Sequence, residues 1–248
     1  MSHPSPTSHT SPTRLPRPKV VLVPGFSQTA ASWHGVKRIL EESCTVAALD
    51  VPAEPTFAAT ATAVGTQGNR AVYAGYSMGG RLALRLALDR PELVSALVLV
   101  SSTAGITDEA ARRERIASDE ALAASVERDG GDAVLERWLA QPLFATVPAD
   151  ASGLRERRRL SARYLAHCLR VLGAGAMDPM WERLQELQMP VALVTGTTDA
   201  KYEAIAHAML ERMRGEVVHV RLDGGHALPL EQPAVLGGFI ASFAARHG

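Results

Sequence analysis

The fold is decided by the stretch Ala71-Val-Tyr-Ala-Gly-Tyr-Ser-Met-Gly-Gly-Arg-Leu-Ala-Leu84. It contains the pattern G-x-S-x-G from Gly75 to Gly79, with an apolar strand before it and a helix-forming run after it. The glycines are needed because the serine sits on a tight strand-to-helix turn, where larger side chains would collide with neighbouring backbone. Such a turn exposes the Ser77 hydroxyl at the edge of a sheet, beside a helix N-terminus that favours negative charge. The alternative is an ordinary glycine-rich turn in which Ser77 only caps the helix.

Short apolar runs on both sides of this stretch predict a mostly parallel sheet of about six strands. Continuous apolar runs of this kind are typical of strands that are buried on both faces. Helical patterns lie between most of them, which indicates an α/β fold. The predicted strands begin at Lys19 and continue over 45–49, 71–74, 96–100, 191–195 and 217–220.

One long segment interrupts the alternation of strands and helices. Residues 102–188 show no strand pattern, and apolar residues recur there at helical spacing over 110–128, 132–139, 154–172 and 180–187. We therefore predict an all-helical cap over 102–188, inserted after the fourth strand, on a core made of 19–101 and 189–248. Residues 1–18 are rich in Pro, Ser and Thr and are predicted to form a disordered tail.

Composition excludes several classes of function. The chain has 248 residues, of which 46% are hydrophobic, and its 26 basic residues balance 26 acidic ones. A net charge of zero does not suit nucleic-acid binding, so we expect a small-molecule substrate. The two cysteines, Cys44 and Cys168, are far apart in apolar stretches and are expected to be buried free thiols. No apolar run is long enough to span a membrane, and we expect a soluble, cytoplasmic protein whose oligomeric state stays open.

A serine of this kind needs a histidine and an acid to activate it. Asp199 follows the strand predicted over 191–195, and His226 lies in the glycine-rich loop after the last strand. The order Ser77, Asp199, His226 is the chain order expected for a G-x-S-x-G turn in an α/β fold. The alternative for Asp199 is that it only caps the helix that follows it.

Two backbone N–H groups are the candidates for stabilising an oxyanion. One belongs to Met78, directly after the serine, and the other belongs to Phe26 in the loop Pro24-Gly-Phe26 after the first strand. The alternative for this loop is a plain β-turn.

With these parts in place, the chain from Lys19 onward resembles the α/β-hydrolase superfamily. Within it, the sequence is most similar to the 2-succinyl-6-hydroxy-2,4-cyclohexadiene-1-carboxylate synthases of menaquinone biosynthesis, lyases that eliminate pyruvate from an enolpyruvyl precursor. The motifs that carry this resemblance are Gly75-Tyr-Ser-Met-Gly-Gly-Arg81, Arg112-Arg-Glu-Arg115 with Ser118-Asp119, Trp138-Leu-Ala-Gln-Pro-Leu-Phe144 and Asp199-Ala-Lys-Tyr202.

The resemblance implies a substrate with several carboxylates, held by Arg81, Arg115 and Arg159. A guanidinium suits this task because its planar fork binds a carboxylate through two hydrogen bonds. Arginines crowd the second and third segments, so the register among residues 157–159 stays open. Tyr76 and Trp138 match aromatic positions of the same family and are expected to line the pocket or the core.

Three functions follow as hypotheses. The first is a carbon–oxygen lyase in which Ser77, His226 and Asp199 remove a ring proton and pyruvate leaves. The second is a carboxylic ester or lactone hydrolase that forms an acyl-enzyme on Ser77. The third is a non-catalytic binder of small molecules. No metal and no organic cofactor is expected for any of them.

Overall fold

A sheet of six parallel strands runs through the centre of the structure, a computed structural model that describes residues 17–148, 150–151 and 153–248. The strands are β1 (Lys19–Val23), β2 (Thr45–Ala48), β3 (Ala71–Tyr76), β4 (Val94–Val100), β5 (Val191–Gly196) and β6 (Val217–Leu222). Their order across the sheet is β2-β1-β3-β4-β5-β6, and each neighbouring pair is parallel. The predicted fold class and all six predicted strands are confirmed.

The strands next to the serine are longer than the sequence indicated. β3 continues to Tyr76 because Gly75 and Tyr76 still pair with Leu99 and Val100 of β4. Gly75, the first glycine of the turn motif, is therefore the fifth residue of a fully buried strand.

Helices account for most of the remaining described residues. They are α1 (His34–Leu40), α2 (Phe57–Gly68), α3 (Met78–Asp89), α4 (Glu109–Asp129), α5 (Gly131–Leu139), α6 (Leu154–Arg157), α7 (Ala162–Leu172), α8 (Ala200–Leu210), α9 (Leu228–Glu231) and α10 (Pro233–His247). Short 3₁₀ helices occupy Ala30–Trp33, Pro91–Leu93, Pro142–Phe144 and Trp181–Glu186.

Helices cover both faces of the sheet. Because side chains alternate along a strand, Val20 and Leu22 of β1 pack on one face with residues of α1 and α10. Val21 and Val23 pack on the other face with residues of α2, α3 and α8. This double burial explains why the strands appear in the sequence as continuous apolar runs.

Among the described residues between β4 and β5, all regular elements are helices, as predicted, and turns and loops join them. α4 packs against α7 and α5. Their contact is a separate apolar cluster formed by Ala123, Val126, Val134, Leu135, Leu165, Ala166 and Leu169. This second core makes the helices a layer of their own above the sheet, although the predicted domain boundaries at 101 and 189 stay predictions.

Two of the four predicted cap helices differ from the expectation. The pattern over 154–172 belongs to two helices, because α6 ends at Arg157 and α7 begins only at Ala162. Ser161 starts the second helix, and its hydroxyl accepts a hydrogen bond from the Tyr164 N–H at 3.1 Å. The pattern over 180–187 folds as the tighter 3₁₀ helix.

A side chain of the helical layer is hydrogen-bonded to the backbone of the sheet domain. The Tyr164 hydroxyl of α7 donates to the Val51 carbonyl at 2.7 Å. Within the segment between β4 and β5, the Trp181 indole donates to the Gly105 carbonyl at 2.8 Å.

Three further expectations concern the chain as a whole. Both cysteines are buried free thiols, as predicted, and burial raises the pKa of Cys168 to about 12. Within the described ranges, every helix is too short or too polar to cross a membrane. The tail predicted over 1–18 lies outside the described residues except for Arg17 and Pro18, and the Pro18 carbonyl already accepts a hydrogen bond from Thr45 at 2.9 Å.

The packing of α3 on β1 leads to a prediction about Gly79. A Cβ atom at this position would lie 2.2 Å from the Val23 carbonyl oxygen and 2.5 Å from that of Pro24. We expect Gly79→Ala to destabilise the protein by about 3 kcal/mol or more, since neither strand nor helix has room to move. Thermal unfolding followed by circular dichroism measures this, and a Tm about 6–12 °C lower is expected.

Gly238→Ala in α10 is the matched control. A Cβ atom there would meet no described atom within 4 Å, so the substitution gains about 0.5–1 kcal/mol from helix propensity alone. An unchanged or higher Tm for Gly79→Ala would show that the contact between α3 and β1 is loose.

Candidate active site

Ser77 lies on the turn between β3 and α3. Its φ of 51° and ψ of −109° are rarely adopted by residues with a side chain, at a cost of about 1–3 kcal/mol. The Ser77 N–H donates to the Val100 carbonyl at 2.9 Å, and the Ser102 hydroxyl donates to the Ser77 carbonyl at 3.0 Å. In α3, which is described in full, no N–H donates to the Ser77 side chain. This argues against the interpretation of Ser77 as only a helix cap.

A chain of hydrogen bonds links Ser77 to His226 and Asp199. His226 Nδ1 lies 2.7 Å from Asp199 Oδ2, and His226 Nε2 lies 3.4 Å from Ser77 Oγ. Because a carboxylate only accepts hydrogen bonds, Asp199 selects the tautomer with the proton on Nδ1 and leaves the Nε2 lone pair towards Ser77. A long Nε2–Oγ distance is common in unliganded sites and shortens when substrate binds.

Asp199 both caps the helix that follows it and holds the catalytic histidine candidate, the two roles that the sequence allowed. Its Oδ1 accepts a hydrogen bond from the Tyr202 N–H at 3.3 Å and so caps α8, while its Oδ2 holds His226. The helix cap fixes the carboxylate, which is buried together with the imidazole. The two interpretations of Asp199 are therefore compatible.

Glu231 holds the loop that carries His226. Its two carboxylate oxygens accept hydrogen bonds from the N–H groups on either side of the histidine, Gly225 at 2.5 Å and Ala227 at 2.8 Å. This role of Glu231 was not predicted from the sequence. Its signal there is a carboxylate five positions after the histidine, at the end of the short helix α9.

The two candidate oxyanion donors lie beside Ser77. Met78 is the first residue of α3, where backbone N–H groups have no partner within the helix. Phe26 is in the loop after β1, next to Gly25, whose missing Cβ leaves room for the Tyr76 ring. Both residues line the same cavity as Ser77. Their role as the two N–H donors to an oxyanion stays a prediction.

A cavity of about 300 Å³ opens in front of Ser77, between the sheet domain and the helical layer. Its floor is formed by Ser77 and His226, and its roof by residues of α4 and α7. Charged residues along its described walls are four cations and one carboxylate: Arg81, Arg115, Arg157, Lys201 and Asp119. The excess of positive charge suits an anionic ligand.

Arg81 is buried, and Arg115 is partly exposed on the opposite wall. Burial lowers the pKa of Arg81 to about 10, which leaves the guanidinium charged at neutral pH. The Arg115 Nε atom donates to both oxygens of Asp119, each at 2.9 Å. Burial raises the pKa of Asp119, although Arg115 and Arg81 act in the opposite direction. Asp119 therefore fixes the orientation of Arg115 and offsets part of the positive charge.

Arg159 does not line this cavity. Its side chain is exposed and its Nη1 atom lies 2.7 Å from Glu156 Oε2. Arg157, two positions earlier, is 3% exposed and lines the cavity instead. Residues two apart in a helical turn point to nearly opposite sides. Which of the arginines at 157–159 faces the cavity therefore depends on the orientation of α6.

The two predicted aromatic residues both line the cavity. The Tyr76 ring lies 5.4 Å from the His226 ring between centroids, and burial raises the pKa of the phenol. The Trp138 ring packs edge-on against Phe26 at 5.0 Å. Tyr202 lies closer to His226, at 4.4 Å between ring centroids. Its sequence motif predicted no role for it.

Comparisons with known proteins place these features in a family. The model of the alpha/beta hydrolase family matches residues 20–237. A Bacillus subtilis protein, provisionally named as a 2-succinyl-6-hydroxy-2,4-cyclohexadiene-1-carboxylate synthase, is 40% identical over 178 residues. That match covers 68% of this chain and 64% of the relative.

Two further proteins are similar over most of their length. The 2-succinyl-6-hydroxy-2,4-cyclohexadiene-1-carboxylate synthase of Salmonella schwarzengrund is 27% identical, and the match covers 88% of this chain and 90% of the relative. The structure of MenH from S. aureus superimposes with a TM-score of 0.83 at 24% identity, covering 94% of this chain and 95% of that one. Because the family model matches most of its length, this chain belongs to the alpha/beta hydrolase family.

Proposed function

We propose that this protein is a carbon–oxygen lyase that eliminates pyruvate from an enolpyruvyl cyclohexene polycarboxylate, as the names of its relatives suggest. The observation that carries the proposal is the hydrogen-bonded chain Asp199–His226–Ser77 at the floor of a cavity with excess positive charge. A neutral ester would gain nothing from buried arginines, whereas a substrate with several carboxylates would.

In the proposed reaction, Ser77 is the base that takes a proton from the cyclohexene ring. His226 accepts the Ser77 hydroxyl proton as Ser77 acts, and Asp199 stabilises the resulting imidazolium. The electron pair of the broken C–H bond is delocalised onto the oxygen of the succinyl carbonyl attached to that ring carbon, which gives an enolate. The negative charge on this oxygen is stabilised by the N–H groups of Phe26 and Met78. When the enolate carbonyl re-forms, the electron pair returns to the ring as the new double bond.

The elimination is complete when the bond between the ring carbon and the enolpyruvyl oxygen breaks. The leaving group takes a proton and departs as pyruvate, and the ring keeps the new double bond. Substrate carboxylates would be held by Arg81 and Arg115, whose charge also favours the developing anion. Both free cysteines agree with the cytoplasmic location that we propose for this enzyme.

The first test is the effect of Ser77→Ala on pyruvate release. We expect release from the enolpyruvyl cyclohexene substrate, followed together with diene absorbance, to fall by about 10³-fold or more, because the proposed reaction uses Ser77 as the base that takes the ring proton. Cleavage of p-nitrophenyl acetate is measured in parallel. Ser77-dependent ester cleavage without any pyruvate release would make the protein a hydrolase.

The second test separates substrate classes through Arg81. We expect Arg81→Ala to reduce kcat/KM for the polycarboxylate by about 10- to 100-fold, since a charge-assisted hydrogen bond contributes about 1.5–3 kcal/mol. Activity on p-nitrophenyl acetate should change little. Arg85→Ala is the control, one turn further along α3, where the arginine pairs with Asp89 outside the cavity. Equal losses on both substrates would rule out a role for Arg81 in carboxylate binding.

The third test concerns the loop of His226. Glutamine at position 231 has one acceptor oxygen where glutamate has two, so Glu231→Gln leaves the N–H of Gly225 or Ala227 facing an amide N–H₂. We expect kcat to fall by about 10- to 100-fold with little change in KM, because His226 shifts while the arginines stay in place. Glu216→Gln is the control, since Glu216 is exposed and pairs with His247. A full kcat in Glu231→Gln would show that the loop keeps its shape without the carboxylate.

A further inference from the structure

Arg157 reaches from the helical layer onto the loop that carries Phe26. Its Nη1 atom donates to the Ser27 hydroxyl at 2.5 Å and lies 3.4 Å from both the Phe26 and the Ser27 carbonyl oxygens. The side chain is almost completely buried. One nitrogen of the guanidinium is thus directed at three oxygens of this loop.

This loop has a conformation that needs support. Ser27 has a φ of 57°, a left-handed value that residues with a side chain avoid. Its hydroxyl and its carbonyl are the groups that Arg157 contacts. On the other side of Phe26, the Gly25 N–H donates to Gln28 Oε1 at 3.0 Å. The Gly25–Phe26 peptide, which presents the Phe26 N–H, is therefore flanked by a contact to Gln28 on one side and by the contacts of Arg157 on the other.

The contacts of Arg157 differ in kind from those of the other arginines in the cavity. The Arg81 Nη1 atom lies 3.3 Å from the soft sulfur of Met177, and Arg115 contacts its carboxylate partner through Nε. Neither contacts the backbone of the loop after β1. Arg157 alone among the described arginines of the cavity joins the helical layer to that loop.

We propose that Arg157 is a positioning residue: it holds the loop of Phe26 and Ser27 in the conformation that presents the Phe26 N–H to the oxyanion, and so couples the seating of α6 to the reactivity of Ser77. The proposal rests on the proposed function only in that the reaction develops an oxyanion beside Ser77. It gives Arg157 a different task from Arg81 and Arg115, which bind substrate carboxylates.

The decisive measurement uses a neutral p-nitrophenyl phosphonate ester that labels Ser77. Its phosphoryl oxygen needs the oxyanion donors, and it has no carboxylate for an arginine to bind. We expect Arg157→Lys and Arg157→Ala to slow labelling by about 10-fold or more. The lysine side chain is one bond shorter, so its ammonium group falls short of the position from which Nη1 contacts the three oxygens, and alanine removes the contact altogether. Arg85→Ala, at an arginine that pairs with Asp89 outside the cavity, should label at the rate of the unaltered protein.

Steady-state kinetics provide the second readout. On the polycarboxylate, Arg157→Lys should lower kcat by a similar factor with little change in KM, while Arg81→Ala should mainly raise KM. Ser27→Ala removes the hydroxyl end of the same contact and should cause part of the same loss. In the double variant Ser27→Ala/Arg157→Ala, the losses should not add, since both substitutions break one contact.

Arg158→Ala is the matched control. Arg158 is the next residue along the chain, is exposed, and pairs with Glu136 and Asp132 of α5. It tests whether weakening the helical layer alone slows labelling, and we expect no effect. Circular dichroism confirms that each variant is folded, and Ser27→Ala and Arg157→Lys keep the test valid if Arg157→Ala does not fold.

Two results would overturn the proposal. Labelling at the normal rate in both Arg157 variants, with a higher KM for the polycarboxylate alone, would make Arg157 a carboxylate-binding residue. Additive losses in the double variant would show that the contact with Ser27 is not the one that matters. Absence of pyruvate release would count against the lyase proposal only, because labelling of Ser77 tests the loop without it.

Discussion

The close approach of α3 to β1 is the constraint on which the rest of the structure depends. Ser77 can occupy its strained turn only because Gly79 lies against the carbonyls of Val23 and Pro24, and Gly75 lies against the backbone of Gly79 and Gly80. The same approach brings the loop after β1, with Phe26, next to the first N–H of α3. A single steric condition therefore shapes the turn that carries Ser77 and places this turn beside the loop of Phe26. The backbone hydrogen bonds between β3 and β4 continue to Tyr76, the residue before the serine, and offset the strain at Ser77.

The remaining parts of the site converge on Ser77 because parallel strands end at one edge of the sheet. Asp199 follows β5, and His226 follows β6, so their loops meet although the residues are 27 positions apart. Each of these side chains is then fixed by a local device: Asp199 by the first turn of α8, and His226 by the carboxylate of Glu231 on the two neighbouring N–H groups. A site held in this way loses little free energy to reorganisation when charge develops.

The helical layer forms the roof of the cavity and also supplies part of its positive charge. Burying arginines is costly unless they are paired, and Asp119 is the one carboxylate among the described residues that line the cavity. Burial accordingly lowers the pKa values of Arg81 and Arg157 to about 10, so both stay protonated at neutral pH. An anionic substrate would bring negative charge to Arg81, whose Nη1 atom contacts the sulfur of Met177. The excess of positive charge in the cavity is the physical basis for our proposal that the substrate is a polycarboxylate rather than a neutral ester.

The sequence by itself determined the sheet, the strained turn at Ser77 and the chain order of Ser77, Asp199 and His226, because each depends on local patterns: buried strands are continuously apolar, and the turn requires its glycines. Other features depend on where separate segments meet. The break before α7 and the inward direction of Arg157, with Arg159 turned to solvent, follow from how one turn of helix rests on the loop after β1. Local spacing is the same for adjacent arginines, so only tertiary packing could decide which of them enters the cavity and what it contacts there.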